Sequence, residues 1–156
     1  MAAGLEPQRA LIRSYLSKAF QEEKDLVHAQ AEIGLAQGLD PNDPTAWLYS
    51  AVMSRQENRI NAAVRDLEHS KELNRNRGLF RSRLLLDQDQ AVRSANLAAV
   101  YRDAGMFDVS VRQAYEAVNY DYGNYSVNLF LANSYDALRD PRQVNLRYET
   151  PWLNEL

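Results

Sequence analysis

Cysteine is absent from the 156 residues, which removes disulfides, thiolate metal sites and thiol nucleophiles together. Histidine occurs only twice, as His28 and His69. No H-E-x-x-H spacing joins them, so the expectation is ordinary surface or packing roles. The six glycines stand singly and leave no phosphate-cradling loop. Long apolar runs are missing too: nothing approaches the roughly 18 residues of a membrane span. Charge excess is also small, since 18 basic against 21 acidic side chains leave −3, too little for a nucleic-acid footprint. A calcium loop starting at Asp87 fails, because no glycine stands sixth and Ala98 is twelfth, where a bidentate Glu is needed. Asp87 or Asp89 is instead expected to cap a helix beginning at Ala91.

What the chain does have is apolar residues at helical spacing. With 46% hydrophobic and 25% charged residues it has an ordinary globular composition. Ile12, Leu16, Ala19 and Phe20 mark one stripe and Leu26, Ala29, Ile33 and Ala36 a second, giving a helical hairpin over 10–43. Asp43 is the expected N-cap of the next helix, with Pro44 in its first turn. Trp47 and Ala51, then Ile60, Ala63, Val64 and Leu67, give a second hairpin over 44–77. The clearest unit is 91–124, with Leu97, Ala98 and Tyr101 before Gly105 and Val111, Ala114, Ala117 and Val118 after it. Residues 125–156 open a fourth unit in which Leu131, Ala132 and Tyr135 repeat that stripe. Pro141 is expected in the first turn of its last helix, with Val144, Leu146 and Tyr148 as its apolar side and Pro151 ending it. The starts at 10 and 44, and at 91 and 125, each lie 34 apart. Residues 78–90, GLFRSRLLLDQDQ, break the rhythm with 13 extra positions. They are too apolar for a solvated linker, so a short helix or tight loop packed on the array is expected.

This pattern resembles the tetratricopeptide repeat family, which has small residues at the eighth and twentieth positions of a 34-residue helix-turn-helix. Here those are Ser17, Ala51, Ala98 and Ala132, and Ala29, Ala63, Ser110 and Val144. Large side chains there would force apart the two crossing helices. Trp47 at the fourth position, Leu16, Leu97 and Leu131 at the seventh, Phe20, Tyr101 and Tyr135 at the eleventh and Pro41 at the thirty-second agree as well. Arg13, Ser50, Ser54 and Val144 depart from the pattern. The resemblance implies an all-α, right-handed α-solenoid of about four hairpins, a single domain with one insertion. More narrowly, residues 81–138 look like the repeat segment of large bacterial cell-envelope proteins that join such repeats to an outer-membrane β-barrel. That likeness implies a periplasmic or envelope location and a role in assembly or export; the alternative is a cytoplasmic location. The chain opens without a charged-then-apolar leader and closes on the apolar PWLNEL, so an excised fragment of a longer protein is expected.

In this family the first helix of each hairpin lines a concave face. Carrying over its second, fifth, ninth, twelfth and thirteenth positions selects Ser14, Lys18, Gln21 and Glu22 in the first unit and Leu48, Val52, Arg55 and Gln56 in the second. Ala95, Ala99, Arg102 and Asp103 follow in the third, and Leu129, Asn133 and Asp136 in the fourth. The bland alternative is that each merely faces solvent, but Leu48, Val52, Ala99 and Leu129 together are expected to form exposed apolar ground. Lys71, Arg75, Arg77, Arg81 and Arg83 form a basic cluster, best read as a mixed-charge surface because Glu68, Glu72, Asp87 and Asp89 lie nearby in sequence. Tyr115, Tyr120, Tyr122 and Tyr125 are expected to pack at the joint of the third and fourth units in preference to forming a binding patch. Asn124-Tyr125-Ser126 matches a glycosylation acceptor, a pattern that is common by chance.

The sequence thus points to a non-catalytic scaffold that holds a protein or peptide segment, with no cofactor, no metal, no nucleic acid and no direct membrane insertion by this segment. The alternative is a structural segment forming a homo-oligomer through the exposed ends of the array.

Overall fold

The computed structural model describes residues 4, 6–79 and 81–138. Among these, seven α-helices account for the architecture and no strand occurs. They are α1 (Ala10–Glu22), α2 (Leu26–Leu39), α3 (Pro44–Gln56), α4 (Ile60–Glu72), α5 (Arg83–Asp103), α6 (Phe107–Tyr120) and α7 (Tyr125–Leu138), with a 3₁₀ segment over Leu73–Leu79. Helices α1/α2, α3/α4 and α5/α6 pair as hairpins, and α7 opens a fourth unit. The expectations for Pro141, Val144, Leu146, Tyr148 and Pro151 lie outside the described residues.

Short polar side chains start several helices. Asp25 Oδ1 accepts from the His28 amide at 3.2 Å, and Asp43 Oδ1 accepts from the Thr45 amide at 2.9 Å, with Pro44 in the first turn as its spacing predicts. Asn124 Oδ1 accepts from the amide of Ser126 at 3.0 Å. Each satisfies an amide that the first helical turn leaves without a partner.

The turn inside each hairpin is the same device used three times. Lys24, Asn58 and Gly105, the fifteenth residue of their units, have φ of 64°, 58° and 75°. The residue after each donates its amide back five positions, Asp25 to Phe20, Arg59 to Ser54 and Met106 to Tyr101, at 2.9, 2.7 and 2.9 Å. That is the left-handed cap with its six-to-one hydrogen bond, closing carbonyls that the helix end leaves open. Only the third unit places a glycine there.

Where the paired helices cross, the small residues lie buried. Ala29, Ala51, Ala63, Ala98 and Ser110 are fully covered, and Ser17 nearly so. Ser17 Oγ donates to the Ala29 carbonyl at 2.7 Å, and Ser110 Oγ donates to the Ala98 carbonyl at 2.7 Å. The same crossing is therefore bridged from the first helix in unit one and from the second helix in unit three. Ala132, the eighth residue of unit four, is exposed among the described residues.

Between units the core is three clusters in series. Ala29, Ile33, Ala36, Ala46 and Met53 join the first unit to the second. Ala51, Ala63, Leu67, Leu97 and Val100 join the second to the third, and Ala91, Ala95, Ala117 and Val127 join the third to the fourth. Each cluster is rich in alanine, so the stability of the array comes from close backbone approach repeated at every joint.

Most of the described extra residues belong to the two neighbouring elements. The 3₁₀ segment prolongs α4, and α5 begins at Arg83, eight residues before Ala91, with Ser82 Oγ accepting from the Leu85 amide at 3.4 Å. Asp87 and Asp89 consequently lie inside α5 and cap nothing; Asp89 instead pairs with Arg81 at 2.8 Å. The apolar run is also less covered than its composition suggests, for Leu84 is 67% exposed on this overhanging start of α5.

One buried cation fixes the overhang. Arg93 is 2% exposed, and its Nε donates to Ser70 Oγ at 2.9 Å while an Nη donates to Asn74 Oδ1 at 2.7 Å. Asn74 in turn donates to the Leu86 carbonyl at 3.0 Å. Ser70 Oγ closes the network on the Pro44 carbonyl at 2.7 Å. No carboxylate of the described residues lies within ion-pair distance of Arg93. Burial lowers its pKa to about 10, with Asp89 and Asp43 compensating from further away.

Candidate functional site

The first helices of successive units, α1, α3, α5 and α7, lie side by side and carry all the selected contact positions. At their C-terminal ends these positions bond to one another. Gln21 Nε2 donates to Gln56 Oε1 at 2.9 Å, and Arg55 Nε donates to Asp103 Oδ2 at 2.7 Å. Both are twelfth-to-thirteenth contacts between neighbouring units, so the end of this face is a polar ladder. Lys18 and Glu22 form a looser pair along α1 at 3.5 Å, and Arg102 approaches Asp103 at 3.8 Å.

The apolar part of the expected set is reduced. Ala99 is 1% exposed, and Ala95 and Ser14 are equally covered, because small residues at these positions let neighbouring first helices come together and close over them. Ser14 Oγ is spent on the Ala10 carbonyl at 3.0 Å. Leu48 packs against the second cluster. Half-buried Val52 on α3 and Leu129 on α7, 46% exposed, remain as apolar ground, and Asn133 and Asp136 are exposed on α7. Exposed Lys18, Glu22, Gln56 and Asp103 and half-buried Arg55 and Arg102 keep the face polar, whereas Gln21 is buried by its bond to Gln56.

Two aromatic residues were missed. Tyr15 and Tyr49 stand at the sixth position of their units and pair across α1 and α3 with ring centroids 5.9 Å apart and planes at 59°. Burial, and to a smaller extent Tyr15 and Glu22, raise the Tyr49 pKa, while Arg77 and Arg93 act the other way. The signal available in the sequence was the recurrence of tyrosine at a spacing of 34.

Other singled-out groups are engaged structurally. His28 Nδ1 lies 2.6 Å from Asp25 Oδ2, whose carboxyl is held below its usual pKa first by the His28 amide and then by the ring. His69 meets the Trp47 ring edge-on at 4.7 Å. Among the described residues no three His, Asp or Glu side chains converge as a metal site would require. Within the basic cluster, Lys71 bonds Glu116 at 3.1 Å and Arg77 bonds Thr45 Oγ1 at 3.0 Å. Tyr115, Tyr120, Tyr122 and Tyr125 are all exposed, Tyr122 to 83%. They do not form the joint, which is filled by alanines, Val118, Val127 and Phe130, and by the 2.9 Å contact of Ser110 with Ser134.

Among solved structures, the N-terminal domain of stress-induced protein-1 from C. elegans superposes with a TM-score of 0.65 at 15% identity, covering 83% of this chain and 94% of that one. The fold is a tetratricopeptide-like helical repeat domain. No family model matches the sequence, and no curated protein matches it. No described helix is long and apolar enough to cross a membrane.

Proposed function

We propose that this domain is a non-catalytic scaffold that holds a peptide or protein segment in the groove formed by α1, α3, α5 and α7. The observation that carries this reading is the polar ladder. It links α1 to α3 and α3 to α5 through Gln21–Gln56 and Arg55–Asp103, so the face is pre-ordered, and pre-ordering lowers the entropic cost of binding. Lys18, Glu22, Val52, Leu129 and Asn133 offer mixed apolar and polar contacts without a cluster of one charge sign, which suits an extended segment of mixed character. We also propose a bacterial envelope setting, which rests on the sequence resemblance of residues 81–138 alone and is testable by fractionating cells that express the complete reading frame.

A random peptide array probed with the domain tests the groove. Signals selected by the wild type should be lost with Val52→Asp and Leu129→Asp, and kept with Leu35→Asp on α2. The reverse pattern would place binding elsewhere. A second reading, self-association through the first end of the array, is favoured by exposed Leu26, Val27 and Leu35 on α2, Val27 to 78%. Sedimentation that turns monomeric with Val27→Glu would support it, and a wild-type monomer at all concentrations would dismiss it.

A further inference from the structure

The cleft with most to offer outside the groove lies at the edge of the array, where α1 begins, α2 ends and the 3₁₀ segment crosses. Its volume is about 630 Å³, inside the range of about 300–1,000 Å³ typical of ligand pockets. The last residues of the second unit, just ahead of the insertion, help to build it. Asn76 and Arg77 line it from the 3₁₀ segment, and Asn76 Nδ2 donates to the Asn42 carbonyl across it at 3.3 Å.

Its charges cancel in number, and each has one partner. Arg9 pairs with Glu6 at 2.8 Å, and Arg77 is held by Thr45. Asp40 Oδ1 accepts from the Asn42 amide at 3.0 Å, and Asp43 caps α3. Two cations and two anions so arranged select no formal charge. The neutral groups left open are carboxamides: Gln8 and Asn42 side chains make no hydrogen bond to the described residues, and Asn76 uses only its Nδ2. A carboxamide presents one acceptor beside donors in a plane, the complement of a peptide unit. Leu11 and Leu39 supply the apolar part of the wall.

We propose that this edge cleft binds a short, uncharged, extended peptide segment. Its main chain bonds to the carboxamides of Gln8, Asn42 and Asn76, and one aliphatic side chain rests between Leu11 and Leu39. The cleft is separate from the groove, so the two sites can fail independently.

The test is an NMR titration of the whole chain with acetyl-Ala-Leu-Ala-Ala-amide, following the side-chain amide signals of Gln8, Asn42 and Asn76. Saturable shifts at these signals are expected, and Gln8→Ala and Asn42→Ala, neither of which removes a bond of the fold, should each weaken binding by about fivefold. Replacing the C-terminal amide of the peptide by a free acid should change affinity by no more than about twofold. Absence of saturable shifts, unchanged affinity in both variants, or a strong preference for the free acid would each overturn the inference. Shifts confined to Val52 and Leu129 would also overturn it while leaving the groove reading intact.

Discussion

Arg55 and Asp103 meet at 2.7 Å across the insertion, in the same relation that joins Gln21 to Gln56 at 2.9 Å one unit earlier. The first pair is separated by 48 residues and the second by 35; the difference is the 13 residues of the insertion. The extra chain is therefore absorbed at the edge of the array without shifting the register of the first helices.

That pairing should be measurable but small. The Arg55 and Asp103 side chains are each about one-third exposed, and such pairs couple by about 0.5 kcal/mol. A double-mutant cycle with Arg55→Ala and Asp103→Ala, read by urea unfolding, should return that coupling. A value indistinguishable from zero would reduce the contact to chance proximity.

The three left-handed turns predict opposite effects from opposite substitutions. Gly105→Ala should cost about 1 kcal/mol, although an added Cβ meets nothing within 4 Å, because the cost is conformational. Lys24→Gly relieves the same strain and should stabilise by about 0.5 kcal/mol after its own entropic penalty. Thermal unfolding of both variants decides the point, and equal signs would refute the shared turn geometry.

Arg93 gives the largest expected single-residue effect. Arg93→Ala empties a buried site and strands Asn74 Oδ1, for a loss of about 3 kcal/mol. Arg93→Met keeps most of the volume and removes a buried charge, so it should cost distinctly less. Denaturant titration compares them, and a more damaging Met variant would mean that the charge itself stabilises the joint.

Tyr101 contributes a pH dependence. Its hydroxyl donates to Glu68 Oε1 at 2.8 Å, and burial first, then Glu68, raise its pKa from 10.0 to about 12. The folded state thus favours the protonated phenol. Its stabilising contribution is complete below pH 10 and is lost as the pH rises toward 12. Arg93, lowered from 12.5 to about 10, acts in the opposite direction over the same interval. Tyr101→Phe keeps Arg93, so the stability gap between wild type and variant should narrow between about pH 10 and about pH 12. Urea midpoints check this, and a constant gap would contradict the assigned hydrogen bond.

The helices were legible because their signals are local: stripes at helical spacing, Asp43 before Pro44, and small residues 12 apart at each crossing. The start of α5 was not. Leu84 and Leu85 read as part of a short helix or tight loop packed on the array, whereas helix continuity carries them into solvent beyond the neighbouring units. Contact positions fared unevenly for a related reason. Repeat numbering places Ala99 and Leu129 on one helix face, but whether a side chain stays open depends on how closely the next helix approaches, and alanine permits that approach. The ladder and the Tyr15–Tyr49 pair depend on matching residues in different units, which no single stripe reveals. Arg93 was invisible because a lone arginine in a helical pattern reads as surface until its neighbours close over it.

The constant register on either side of residues 78–90 separates two design variables. Lengthening or shortening that segment would remodel the rim where Asn76 and Arg77 stand, while a ligand running along the first helices would meet an unaltered ruler. Rim chemistry and groove spacing can therefore be changed one at a time, and a chimera carrying a different segment at this point should retain the groove's preferences while acquiring new ones at its border.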